Sequence, residues 1–118
     1  MYIDRITMAV TYMDEMVRFY RDVFDAGLKP LEVIGGFQFY GGSLAGIDLL
    51  FCPNEIAGVI AEQNRQQFRF VVDDLEEMRM KVVQSGGVLL DDLHQTSTIK
   101  SCGLRDPDGN TLELIEYL

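Results

Sequence analysis

A few polar side chains stand in stretches that otherwise read as β-strand, and these are the residues with chemistry to offer. Glu113 sits between Leu112 and Leu114, on the face of Thr111, Ile115 and Tyr117. Asp48 lies between Ile47 and Leu49, on the face of Leu50. Arg5 shares a face with Thr7 and Ala9, while Ile6, Met8 and Val10 take the other; Gln67 and Arg69 likewise share a face. Carboxylates withdrawn from water need a compensating positive charge, and arginine supplies it through a planar, bidentate fork. The same residues equally suit the solvated face of an antiparallel sheet, and both readings stand at this point. Tyr40, Gln38 and Ser101 fall on middle strands, where they can hydrogen-bond a ligand. Established catalytic signatures are absent: there is no G-x-S-x-G, P-loop, Rossmann glycine pattern or Cys/His pair. The only histidine, His94, sits in a polar loop, Asp91 to Thr98, and reads as solvated. Cys102 follows Ser101 and faces the other way, which argues against a nucleophile.

The elements that must position these residues are legible in order. Ile3 to Val10 reads as a strand. Thr11, with Asp14 three residues on, suits a helix cap. Met13, Met16, Val17, Tyr20 and Phe24 recur at helical spacing as a core stripe, and the helix is expected to stop before Gly27. Strands follow at Leu28–Ile34, Phe37–Tyr40 and Ile47–Cys52, with Gly35-Gly36 and Gly41-Gly42 as hairpin turns. Pro53 to Arg65 is a connection with at most one helical turn, at Ile56–Ala61. Gln67 to Val72 alternates again. Asp74 then caps a helix, with Glu77 at the third position and Leu75, Met78, Val82 and Val83 as its apolar stripe, closed by Gly86-Gly87. Val88–Leu90 and Ile99–Leu104 read as weaker strands. Asp106-Pro107-Asp108-Gly109-Asn110 is a strong turn signal before the closing strand, Thr111–Tyr117.

This is an internal repeat. Placing Arg5 over Gln67 puts Met8 on Phe70, Met13 on Leu75 and Met16 on Met78. The fold class expected is α+β: two βαβββ modules with mixed sheets around a cleft, each sheet covered on its other side by a helix. A single domain is expected, with module 1 at 1–53, a linker at 54–66 and module 2 at 67–118. A ferredoxin-like βαββαβ chain offers only two strands after the first helix, whereas the glycine turns delimit three.

The 118 residues are 47% hydrophobic and 25% charged, as in an ordinary globular domain. A net charge of −9 argues against nucleic-acid and anionic-membrane partners. Charges at Asp4 and Arg5 come too early for a signal peptide. Cys52 and Cys102 are too few for a disulfide framework and too far apart for a CxxC motif, so reduced thiols and a cytoplasmic setting are expected.

The strand–Thr-x-x-Asp–helix opening with Phe19-Tyr20, the Val72-Asp73-Asp74-Leu75 segment, and above all Asp106-Pro107-Asp108-Gly109-Asn110-x-Leu-Glu-Leu resemble the vicinal oxygen chelate superfamily. That superfamily includes glyoxalase I, bleomycin-resistance proteins and extradiol dioxygenases, and the resemblance covers nearly the whole chain. It implies a divalent metal held by first- and last-strand side chains of each module. Those positions fall on Arg5, Gln67 and Glu113, with Asp48 the nearest acid in the remaining place. Arginine has no lone pair to give a cation, and a neutral amide is a poorer ligand than imidazole. The resemblance therefore suggests a degenerate metal site in which Arg5 replaces the metal, pairing with Glu113, Asp48 or both, with Gln67 and Arg69 beside them.

Such a site is expected to bind a small polar or anionic molecule without a cofactor, Arg5, Gln67, Arg69, Asp48 and Tyr40 forming the pocket. The alternative is a divergent metal-dependent lyase, isomerase or dioxygenase, with Glu113, Gln67 and Asp48 as metal ligands and Glu113 as the catalytic carboxylate. A third reading is a non-catalytic dimerisation or accessory module. The resemblance also implies a homodimer.

Overall fold

A computed structural model describes residues 1–118, which divide into two units, Met1–Ile60 and Ala61–Leu118. The first runs β1 (Ile6–Val10), α1 (Met13–Phe24), β2 (Lys29–Ile34), β3 (Phe37–Leu44), β4 (Ile47–Pro53) and α2 (Asn54–Ala57). Its sheet has the order β1-β4-β3-β2, with β1 parallel to β4 and the other pairs antiparallel. The second runs β5 (Phe68–Val71), α3 (Leu75–Gln84), β6 (Val88–Leu89), β7 (His94–Gln95), β8 (Ile99–Arg105) and β9 (Thr111–Tyr117). There β5 lies parallel to β9, and β8 is antiparallel to β9, β6 and β7. These are the two α+β modules with mixed sheets that the repeat predicts. The offset of 62 residues holds at both element starts, Ile6 to Phe68 and Met13 to Leu75.

In each unit the period-2 pattern sends one face of the sheet to the helix and turns the other away from it. The α1 stripe is wider than expected, because Phe19 and Val23 join Met16, Val17 and Tyr20 in the core. Tyr20 meets Phe51 edge to face at 5.7 Å, tying the helix to the middle of β4. In the second unit Leu75 and Val82 of α3 are buried, as are Leu104, Leu112 and Leu114 on the helix side of the sheet.

Several boundaries differ from the sequence expectation for identifiable reasons. β1 pairs only from Ile6, so Arg5 stands one residue ahead of the ladder and is exposed. The α1 cap position falls on Tyr12, not Thr11; the helix stops before Gly27, as expected, its C-cap being Asp25 (φ 56°), and aspartate tolerates this left-handed conformation. Gly41-Gly42 is not a turn. β3 runs straight through it to Leu44, and the reversal comes at Ala45-Gly46. The glycines are there for close approach: a Cβ on Gly42 would lie 2.0 Å from the Gly27 carbonyl oxygen. The connection's helical turn comes two residues early, at Asn54–Ala57, where the Asn54 amide bonds both the Val59 N–H and its carbonyl.

In the second unit the expected polar loop contains β7, and Val83 is outside the α3 core stripe, 57% exposed. α3 starts under two carboxylates. Asp74 accepts from Glu77 N at 3.1 Å, as the capping pattern predicts, and Glu116 reaches from β9 to accept from Leu75 N at 3.0 Å. The Asp-Pro-Asp-Gly-Asn turn is a buried polar knot. Asp106 Oδ1 accepts from Asp108 N (3.0 Å) and Asn110 N (2.9 Å), and its Oδ2 from Asn110 Nδ2 (2.9 Å). Asn110 Oδ1 in turn accepts from Asn64 N at 2.6 Å, which pins the incoming chain to the hairpin that launches β9.

Candidate functional site

Residues that pair across a sheet share a face, so the register decides which polar groups meet. On the face of the second unit's sheet turned away from the helix, Glu113 lies between Arg69 of β5 and Gly103 of β8. Arg69 Nε stands 3.7 Å from Glu113 Oε1, with the two side chains 52% and 38% exposed. A pair this exposed contributes little to stability, which leaves both charges available to a ligand. Gln67 Nε2 donates to Thr111 Oγ1 at 3.1 Å along the same edge. Beside Glu113 is a cavity of about 240 Å³, whose polar lining is Gln67, Asp91, Ser101, Thr111 and Glu113. Its floor is shaped by Gly103, over which Leu90 lies; the Gly103 N–H donates to Asp91 Oδ1 at 2.9 Å. Gln67, Arg69 and Glu113 are thus brought together on one face.

Asp91 and Thr111 are additions that sequence reasoning did not assign to the site. Asp91 sits in an irregular stretch after a two-residue strand, where no periodicity assigns a face. His94 pairs with Ser101 and so shares its face, at an exposed position. Cys102 faces the helix side; burial raises its thiol pKa, the Arg79 charge opposes that rise, and Asp91 and Glu113 add to it. A buried, protonated thiol is a poor nucleophile.

The first unit has the same construction with different side chains. Ile6 pairs with Leu49 as Phe68 pairs with Leu112, so the counterpart of Glu113 is Leu50 and that of Arg69 is Thr7. Asp48 corresponds to Thr111, two residues from the place the resemblance would give an acid. Gly41 pairs with Leu50 as Gly103 pairs with Glu113, and Leu31 covers Gly41 as Leu90 covers Gly103. The cavity beside Leu50 is apolar but for one acid, about 440 Å³, lined by Leu31, Glu32, Ile34, Phe39 and Leu50.

Two placements depart from the expected pocket. Tyr40 pairs with Phe51, so it faces α1, where the Arg21 guanidinium lies 5.9 Å from its ring centroid. The continuous β3 fixes it on the helix side. Within its unit Arg5 makes no ion pair, with Asp48 or any other carboxylate; the cation beside Glu113 is Arg69.

A metal fits this donor set poorly. In neither unit do three or more His, Cys, Asp or Glu side chains converge. The first unit offers an arginine and a leucine at the relevant strand positions, and the second offers Glu113 and the Gln67 amide. No helix is long and apolar enough to cross a membrane.

Comparison with known proteins agrees with this architecture. One crystal structure, described as a glyoxalase/bleomycin resistance protein/dioxygenase family enzyme from Burkholderia phytofirmans PsJN, is 18% identical with a TM-score of 0.76; 98% of each chain is covered. FosX, a fosfomycin resistance protein from Listeria monocytogenes, is 15% identical with a TM-score of 0.76, covering 98% of this chain and 93% of its own. FosX from Mesorhizobium loti is 19% identical with a TM-score of 0.72, covering 98% and 91%. Such identities establish a shared fold and no more. The sequence matches no curated protein. Residues 2–114 match the description Glyoxalase/Bleomycin resistance protein/Dioxygenase superfamily, and the chain belongs to that superfamily.

Proposed function

We propose that this protein binds a small polar molecule in the cavity beside Glu113, without a resident metal. The observation that carries the reading is the row Arg69–Glu113–Gly103, with Asp91, Thr111 and Gln67 around it. Two carboxylates against one guanidinium favour a ligand that donates hydrogen bonds, such as a diol or an amine, over a simple anion. The volume of about 240 Å³ restricts that ligand to a few non-hydrogen atoms. Arg69 and Gln67 would orient it, and Glu113 would accept its most acidic proton.

A metal-dependent reading is favoured by one comparison. A FosX variant from Listeria monocytogenes, 15% identical, was crystallised with Mn(II) and 1S,2S-dihydroxypropylphosphonic acid. In that reading Glu113, Gln67 and Asp48 would be the ligands. A thermal-shift and calorimetric titration with 1,2-propanediol and ethanolamine, with and without a chelator, separates the two. Metal-free binding that weakens about 10-fold or more in Glu113→Gln supports the proposal, since a hydrogen bond to a charged acceptor is worth about 1.5–3 kcal/mol. Binding that needs Mn(II), or that ignores Glu113→Gln, would sink it.

A further inference from the structure

The helix side of the second unit holds a second, unrelated opening. It is a groove of about 480 Å³ between α3 and β6, lined by Glu76, Arg79, Met80, Val83, Gln84 and Leu89. Glu113 and its cavity lie on the opposite face of the same sheet. Arg79 is the anomaly. It comes four residues after Leu75 and three before Val82, both fully buried, so it occupies the core-facing stripe where an apolar residue is expected. Its Nε is buried and has no hydrogen-bond acceptor, and no carboxylate pairs with its guanidinium, Glu76 included. On a chain of net charge −9, a half-buried arginine without a counterion is out of character. Around it the groove is apolar and accessible, with Met80 62% and Val83 57% exposed.

We propose that this groove binds a small monocarboxylic acid with an aliphatic tail, its carboxylate on Arg79 and its tail along Met80, Val83 and Leu89. The volume falls in the range of small-molecule pockets. The guanidinium fork matches a carboxylate, and the ligand would supply the counterion that the chain withholds. Gln84 adds an amide donor at the rim, and Glu76 on the same wall disfavours a second negative charge, which selects a monoanion. Nothing here depends on the cavity beside Glu113.

The test is a titration of the intact protein with sodium octanoate, and with 1-octanol as the uncharged control, followed by amide chemical shifts and calorimetry. The expected result is saturable octanoate binding, with shifts centred on Met80, Val83 and Leu89. Affinity should fall at least tenfold in Arg79→Leu, while 1-octanol binds weakly and alike to both proteins. Arg79→Leu should fold, since it places an apolar side chain in an apolar stripe; Arg79→Met is the second variant if it does not. Absence of saturable binding, shifts elsewhere, or equal octanoate affinity in the variant would overturn the proposal.

Discussion

Replacing Asp106 by Ala is expected to cost about 3 kcal/mol, a large loss for a single side chain on a surface turn. Asp106 is only 2% exposed and accepts from Asp108 N, Asn110 N and Asn110 Nδ2. Hydrogen bonds to a charged acceptor are worth about 1.5 kcal/mol each at the low end, giving roughly 4.5 kcal/mol for three independent ones. They are not independent, and the half-exposed Asp108 N–H recovers water, so about 3 kcal/mol is the net expectation. Part of that loss arrives indirectly. Asn110, no longer held by Asp106, also loosens its bond to Asn64 N. The assay is equilibrium urea unfolding, with thermal melting as a second readout; roughly 4 °C per kcal/mol at this chain length implies a drop near 12 °C. Asp92→Ala, at an exposed position, is the control and should change stability by no more than about 0.5 kcal/mol. A loss below about 1 kcal/mol in Asp106→Ala would refute the view that this motif is a structural knot.

Gly42→Ala should destabilise by about 3 kcal/mol or more in the same assay. Its Cβ would meet the Gly27 oxygen at 2.0 Å and the Gly27 carbon at 2.5 Å, backbone atoms that cannot swing aside; a neutral outcome would mean the two segments are not held together. The raised Cys102 pKa has a sign that can be checked. The folded state keeps the thiol proton above the ordinary thiol pKa of 9.0, where the unfolded chain loses it, so this group's contribution is intact below about pH 9 and falls as pH rises through the folded pKa. Correspondingly, thiol-disulfide titration of native protein at pH 8 should label Cys102 only at the rate of unfolding; fast stoichiometric labelling would contradict its burial.

The glycines show where sequence reading reached its limit. Gly35-Gly36 was legible as a turn and is one, both residues having positive φ. Gly41-Gly42 carries the same local signal for a different cause, contact with a segment distant in sequence, and local pattern cannot distinguish the two. With the turn at Gly41-Gly42, Tyr40 could be given to the pocket; in the continuous β3 it pairs with Phe51 and faces α1. Glu113, Gln67 and Arg69 were legible because clean alternation fixes a face within one strand. Asp48, the acid nearest to the counterpart of Glu113, stands two residues from it, because the equivalence depends on cross-strand register, Ile6 with Leu49 and Phe68 with Leu112, which no single strand encodes. Asp91 entered the site through a hydrogen bond to Gly103, twelve residues away in an irregular stretch. Arg79 hid inside a helical pattern, where the neighbouring Val83 looked the better core residue.

The claim of a metal-free site is tested most directly by elemental mass spectrometry of the purified protein, loaded with nickel, zinc, manganese and iron(II) and then dialysed extensively. The expected result is no near-stoichiometric retention, since an arginine and a leucine stand at the first unit's strand positions and no three strong ligands converge in either unit. Retention of about one ion per chain would contradict it and favour the metal-dependent reading.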